Sequence, residues 1–123
     1  TPNEKEAAQL TGMEIDSIQK AGKAASRIRS HGCPNVIITL GKQGVFVKTD
    51  EMEKHIPAPA VEAIDSVAAG DAFNGVLAAY LGENIPLEKA IRAANAAGAL
   101  TTTKRGAQEA LPTRKEIEDF MQD

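Results

Sequence analysis

Apolar positions along the chain change their spacing several times, and each change marks a different element. Ile18, Ala21, Ala25 and Ile28 follow the three-then-four rhythm of one face of an amphipathic helix. Asp16 or Ser17 stands where the N-cap belongs, Gly32 stops the helix, and Pro34 prevents its resumption. A shorter helix precedes it in "TPNEKEAAQLTG". There Asn3 is the expected N-cap, Glu6 falls at capping-box spacing, and Gly12 ends the helix. The rhythm then collapses into "NVIITL", an unbroken β-branched run of the kind buried on both faces of a sheet. "GKQG" is a glycine-bounded turn and "VFVKT" the next strand. "KHIPAP" is expected as an irregular edge piece, because its prolines exclude a central strand. "VEAID" is expected as another short strand ending at Asp65.

Two Ala-rich helices are predicted over 71–82 and 87–102, separated by "GENIP". The small side chains of Ala78, Ala79, Ala93, Ala94, Ala96 and Ala97 would let them approach closely. "KRGAQEALP" reads as a loop, and Thr113, with Glu116 three residues on, caps a last helix. The order αα–β–β–β–ααα predicts an α/β layered domain over residues 1–123. Periodicity leaves strand order and sheet direction open.

Composition narrows the function classes. With 42% hydrophobic and 25% charged residues over 123 positions, the chain can build a globular core. A net charge of −3 with no basic tail gives no electrostatic case for nucleic acid. An aromatic content of 3% without Trp argues against base-stacking platforms. Uncharged runs fall short of the ~20 residues that span a bilayer, so no membrane partner is expected. Cys33 is the only cysteine. It excludes an internal disulfide, fits a reducing, cytoplasmic compartment, and is expected to be inert packing. His31 and His55 lie far apart without ligand-like companions, which argues against zinc. No signal-peptide pattern is visible. The chain begins at Thr1 rather than Met, so a fragment of a longer protein is expected.

Three stretches carry candidate chemistry. In "DSVAAGDAFNG" the carboxylate of Asp71 follows Gly70 in the first turn of a helix. Backbone N–H groups there lack intrahelical partners and carry partial positive charge, which suits phosphate. Ala68, Ala69 and Gly70 are small enough to let a ligand reach the backbone, and a carboxylate beside it can take a proton from a hydroxyl. Together these are the equipment of phosphoryl transfer to an alcohol. The same Asp71 could equally do no more than complement the helix dipole. "TLGKQG" ends a strand in a glycine turn whose N–H groups can line a phosphate. It matches neither the Walker A nor the dinucleotide glycine pattern, and it also reads as a plain turn between strands. In "NEKE", Asn3 and Glu6 form a capping box or, alternatively, organise Mg²⁺ and water near phosphates.

Taken together, "TPNEKEA", "ITLGKQGV", "VEAIDSVAAGDAFNG" and "RGAQEALP" resemble the C-terminal part of the ribokinase-like (phosphofructokinase-B-type) family of carbohydrate kinases. The likeness runs over essentially the whole chain. "DSVAAGD" is similar to that family's D-T-x-[GA]-A-G-D signature and is the specific part. The resemblance implies a three-layer, Rossmann-like α/β fold. It also implies transfer of the ATP γ-phosphate to a sugar hydroxymethyl group, as from ribose to ribose 5-phosphate. Asp71 would be the general base, with the N–H groups around Ala69 and Gly70 as anion hole. Asn3 and Glu6 would organise phosphate and Mg²⁺. Thr39, Leu40, Gly41, Lys42, Gln43 and Gly44 would line the nucleotide, and Asn95, where some relatives carry histidine, would lie near adenine. A potassium site would involve Asp65, Val67, Thr101, Lys104, Gly106 and Ala110, the last standing where some relatives have serine.

Members of that family are much longer. The resemblance therefore implies that the first sheet strands, the lid that is the usual homodimer surface, and most contacts to the small-molecule sugar lie outside these residues. An exposed sheet edge and apolar surface are expected where the remainder packs. Three further readings stand beside this one: a kinase of the same family for another sugar or a nucleoside, a non-catalytic nucleotide-binding module, and a structural α/β fragment that binds nothing.

Overall fold

The computed structural model describes residues 1–62, 68–103 and 112–122. The chain divides into two compact units, Thr1–Pro57 and Ala58–Asp123.

The first unit holds helices α1 (Glu4–Thr11) and α2 (Ile18–Ser30), then strands β1 (Val36–Thr39), β2 (Val45–Lys48) and β3 (Glu53–Ile56), with a 3₁₀ turn at Gly41–Gln43. The strands form an antiparallel sheet in the order β1-β2-β3. Val36 stands opposite Lys48 and Thr39 opposite Val45; Phe46 stands opposite His55. β1 is buried on both faces, as its unbroken apolar run predicts, with Ile38 fully buried. α2 caps on Ser17, whose hydroxyl accepts from the Lys20 N–H at 3.1 Å. Asp16 instead pairs with the Lys20 ammonium at 2.9 Å. Ala7, Ala21, Ala24, Ala25, Ile38 and Phe46 meet in one core. Gly22 is part of that fit, because a Cβ there would stand 3.0 Å from Phe46 Cζ.

Two strand expectations need correction. The segment expected to be irregular contains a regular strand, β3, which stops at Ile56 just before Pro57. Pro57 and Pro59 bar its continuation but not the four residues before them. Val61 and Glu62 of "VEAID" are not in a strand, and Ala63, Ile64 and Asp65 lie outside the described residues. Cys33 is also exposed rather than packed, since it sits in the solvent-facing connection after Gly32.

The second unit contains α3 (Ala69–Gly82), α4 (Leu87–Thr102) and α5 (Arg114–Gln122). α4 packs against both of the others. Ala90, Ile91, Ala93, Ala94, Ala96 and Ala97 of α4 are buried. On α3 the buried residues are Ala72, Phe73, Leu77 and Tyr80, whereas Ala78 and Ala79 are exposed. The expectation of a small-residue face on both helices therefore holds for α4 alone. Large side chains from α3 fill the space that the alanines of α4 leave. Thr113 caps α5: its hydroxyl accepts from the Glu116 N–H at 3.2 Å, and the Glu116 carboxylate accepts from the Thr113 N–H at 3.1 Å.

Candidate functional site

In the first unit, α1 begins at the end of β1. The Thr39 N–H donates to the Pro2 carbonyl at 3.0 Å, and Asn3 and Thr39 form a parallel bridge. Two stretches far apart in sequence are thus side by side. The capping box is complete: Asn3 Oδ1 accepts from the Glu6 N–H at 2.8 Å, and Glu6 Oε1 accepts from the Asn3 N–H at 3.0 Å. Both residues are exposed. The box engages one oxygen of the Glu6 carboxylate, which leaves the other chemically able to receive a metal-bound water. Magnesium keeps most of its ligands as water or phosphate oxygen, so this sparse donor set fits it. Among the described residues no cluster of three or more His, Cys, Asp or Glu could hold a metal by itself.

The turn after β1 needs glycine at both ends, with φ of +58° at Gly41 and +92° at Gly44, a region that costs other residues strain. Its carbonyls face inward contacts. Leu40 O accepts from the Gln43 N–H and Gly41 O from the Gly44 N–H, each at 3.1 Å, while the Leu40 N–H donates to Gly44 O at 2.7 Å. The Gln43 carbonyl accepts from the His55 ring Nε2. The exposed N–H groups of Gly41 and Lys42 have no backbone partner among the described residues. A cleft of about 270 Å³ beside the turn is lined by Glu4, Ile15, Asp16, Ser17, Leu40 and Gln43. Its two carboxylates disfavour a polyphosphate. The Asp16 carboxyl is held below its usual range by the hydrogen bond from Lys20, so it stays charged.

In the second unit, α3 starts two residues earlier than its sequence pattern suggests, which places Asp71 third in the helix. The entry is Ala68 at φ +68° with no side-chain cap. For an L-residue the left-handed region costs about 1–2 kcal/mol, and such outliers concentrate at functional sites. Ala72 N–H donates to Ala68 O at 2.9 Å, so the N–H groups of Ala69, Gly70 and Asp71 precede the first helical bond. Gly70 and Asp71 are exposed. Among the described residues a Cβ on Gly70 would meet nothing within 4 Å, and its φ is ordinary. Among the described residues, neither packing nor backbone therefore demands glycine there, and none of them blocks close approach by a ligand.

Asn95 is buried on α4. Thr101 is fully buried in the last turn of α4, its hydroxyl donating to Ala97 O at 2.8 Å. Of the six expected potassium positions it alone is described; Asp65, Val67, Lys104, Gly106 and Ala110 lie outside the described residues. His55 was set aside in the sequence as a poor zinc ligand. Its link to Gln43 depends on strand register, which no local motif announces.

This combination of folded elements and glycine-lined turns belongs to a known class. The pfkB family carbohydrate kinase model matches residues 1–114, and the chain belongs to that family. Among particular proteins, it is 46% identical over 122 residues to the ribokinase of Haemophilus influenzae, covering 99% of this chain and 40% of that protein. It superposes on Arabidopsis thaliana ribokinase complexed with ribose and ATP with a TM-score of 0.91 at 27% identity, covering 99% of this chain and 40% of that one. A putative ribokinase II from Escherichia coli in complex with ATP and Mg²⁺ aligns with a TM-score of 0.86 at 30% identity, covering 98% and 38%. The chain therefore has the α/β ribokinase fold, and it spans about 40% of the length of these relatives. Among the described residues no helix is long and apolar enough to cross a membrane.

Proposed function

We propose that residues 1–123 are the C-terminal, ATP-binding and catalytic segment of a kinase that phosphorylates a sugar hydroxymethyl group, with ribose as the foremost substrate. The observation that carries this reading is the N-terminus of α3, where a Cβ on Gly70 would meet no described neighbour within 4 Å and Asp71 stands in the first turn. The 46% identity to a ribokinase supports the choice of sugar.

In this reading the Asp71 carboxylate accepts the proton of the acceptor hydroxyl as its oxygen attacks the γ-phosphorus. The N–H groups of Ala69 and Gly70 hold the equatorial oxygens of the transferring group, whose charge they offset without reorganising. The Gly41 and Lys42 N–H groups receive the nucleotide side of the polyphosphate, with Thr39, Leu40, Gln43 and Gly44 forming the turn's wall. Glu6 and Asn3 orient metal-bound water. Mg²⁺, when bound, would neutralise charge on the phosphates during transfer. Asn95 approaches the adenine. Potassium would be held around Thr101 and at the other expected positions, which lie outside the described residues. The complete enzyme is a cytoplasmic homodimer whose sugar contacts lie mainly beyond these residues.

The test is Asp71→Asn in the complete kinase, with Asp65→Asn as control. Loss of the base should lower kcat about 10²–10⁴-fold, with ATP affinity equal or tighter because a negative charge beside the phosphates is gone. A folded variant with near wild-type kcat would leave Asp71 as a dipole partner only.

A further inference from the structure

We infer that His55 is a positioning residue for the nucleotide turn. It holds the Gln43 carbonyl away from bound phosphate, so that this oxygen does not oppose the Gly41 and Lys42 N–H groups. The inference rests on the reading of residues 39–44 as a phosphate-facing turn.

The turn's carbonyls differ in what holds them. Those of Leu40 and Gly41 are engaged by the Gln43 and Gly44 N–H groups, so the 3₁₀ geometry itself turns them from solvent. The Gln43 carbonyl accepts from no backbone N–H among the described residues; the Gly44 N–H of the same planar peptide donates to Gly41 O, which turns the carbonyl to the opposite side. Without a partner there, its partial negative charge stands in the segment that must receive phosphate and works against the Gly41 and Lys42 donors. The His55 Nε2–H donates to that carbonyl.

Two features of the sheet fix the donor. His55 lies on β3 directly opposite Phe46 of β2, and cross-strand partners share a face. Phe46 is buried, its ring against Gly22 of α2, so the register of this pair is set by the core rather than by the turn. Val45↔Ile56 beside it, both almost fully buried, locks the same register. The edge strand thus acts as a bracket. Core packing places the imidazole, and the imidazole, together with the Gly44 N–H bond to Gly41 O, holds the last peptide of the turn. Donation through Nε2 is possible for the Nε2-protonated neutral ring as well as for the cation.

Three forms of this chain test the inference: wild type, His55→Phe and His55→Gln. Phenylalanine keeps a ring opposite Phe46 but cannot donate; glutamine restores a donor of similar reach. Calorimetric titration with Mg-ATP reads the dissociation constant, and thermal melting checks the fold. The complete kinase gives the split between KM for ATP, KM for sugar and kcat. His55→Phe should weaken Mg-ATP binding about 2- to 12-fold, the loss of one hydrogen bond's net contribution. The KM for ATP should rise in parallel while kcat and sugar KM stay put, and His55→Gln should recover most of the affinity. Unchanged affinity in a folded His55→Phe, or equal loss in the glutamine variant, overturns the inference and leaves the nucleotide reading intact. A wild-type chain that binds no Mg-ATP overturns that reading and the inference with it.

Discussion

Replacing Gly70 by alanine should move stability and nucleotide binding in opposite directions. Position 70 is the second residue of α3, exposed, with an ordinary backbone conformation and no described neighbour within 4 Å of a new Cβ. A methyl group there costs no packing and removes freedom from the unfolded chain. Glycine in a helix is disfavoured against alanine by about 0.5–1 kcal/mol. For a chain of this length that corresponds to a rise in Tm of roughly 2–5 °C. If phosphate approaches the Gly70 N–H, the same methyl stands in its path. Losing one charge-assisted hydrogen bond costs about 1.5–3 kcal/mol, or roughly 10- to 100-fold in affinity. Thermal melting without ligand, followed by calorimetric titration with Mg-ATP, reads both effects on one sample. Higher Tm with unchanged affinity would mean that no ligand comes near Gly70 and would refute the anion-hole assignment. Lower Tm would mean that the open space above the helix end is not there.

Gly22→Ala should behave oppositely to an exposed helical glycine. Its Cβ would press on Phe46 Cζ at 3.0 Å, and overpacking of about 1–3 kcal/mol exceeds the helix-propensity gain, so Tm should fall, whereas Gly75→Ala, with nothing within 4 Å of its Cβ, should raise it. Asn3→Ala removes the cap of α1 at a cost of about 1 kcal/mol. If Asn3 also organises Mg²⁺, the Mg²⁺ requirement for turnover should rise too, and an unchanged requirement would restrict Asn3 to capping. The Glu83 carboxyl is held below its usual 4.5 by the hydrogen bond from Arg114. Its stabilising contribution is therefore present above pH 4.5 and lost as pH falls through the lowered folded value, so Glu83→Gln should flatten the acid side of a Tm-against-pH profile. An identical acid limb would show that this exposed pair contributes nothing measurable.

Local patterns carried much of the architecture, because they act over a few residues. Asn3 with Glu6, and Thr113 with Glu116, announced capping boxes that the structure contains. The run at 35–40 announced a doubly buried strand, which the structure forms at Val36–Thr39, and the span 87–102 matched α4 at both ends. The family was legible for a similar reason: "TLGKQG" and "DSVAAGD" are short local patterns that resemble the family's in order and spacing, and the pfkB family model matches residues 1–114. Tertiary structure decided what depends on distant partners. Strand β3 exists because Val45 and Phe46 offer Ile56 and His55 a ladder, which outweighs the prolines that follow it. Ala78 and Ala79 point away from the core, since the bulk of Phe73, Leu77 and Tyr80 selects the buried face of α3. The left-handed entry at Ala68 extends α3 backward by two residues and sets where Asp71 stands on the helix. The bridge between Asn3 and Thr39, and the reach of His55 to Gln43, arise from strand register. Register is fixed by burial of side chains far apart in the chain, so no short stretch of sequence contains it.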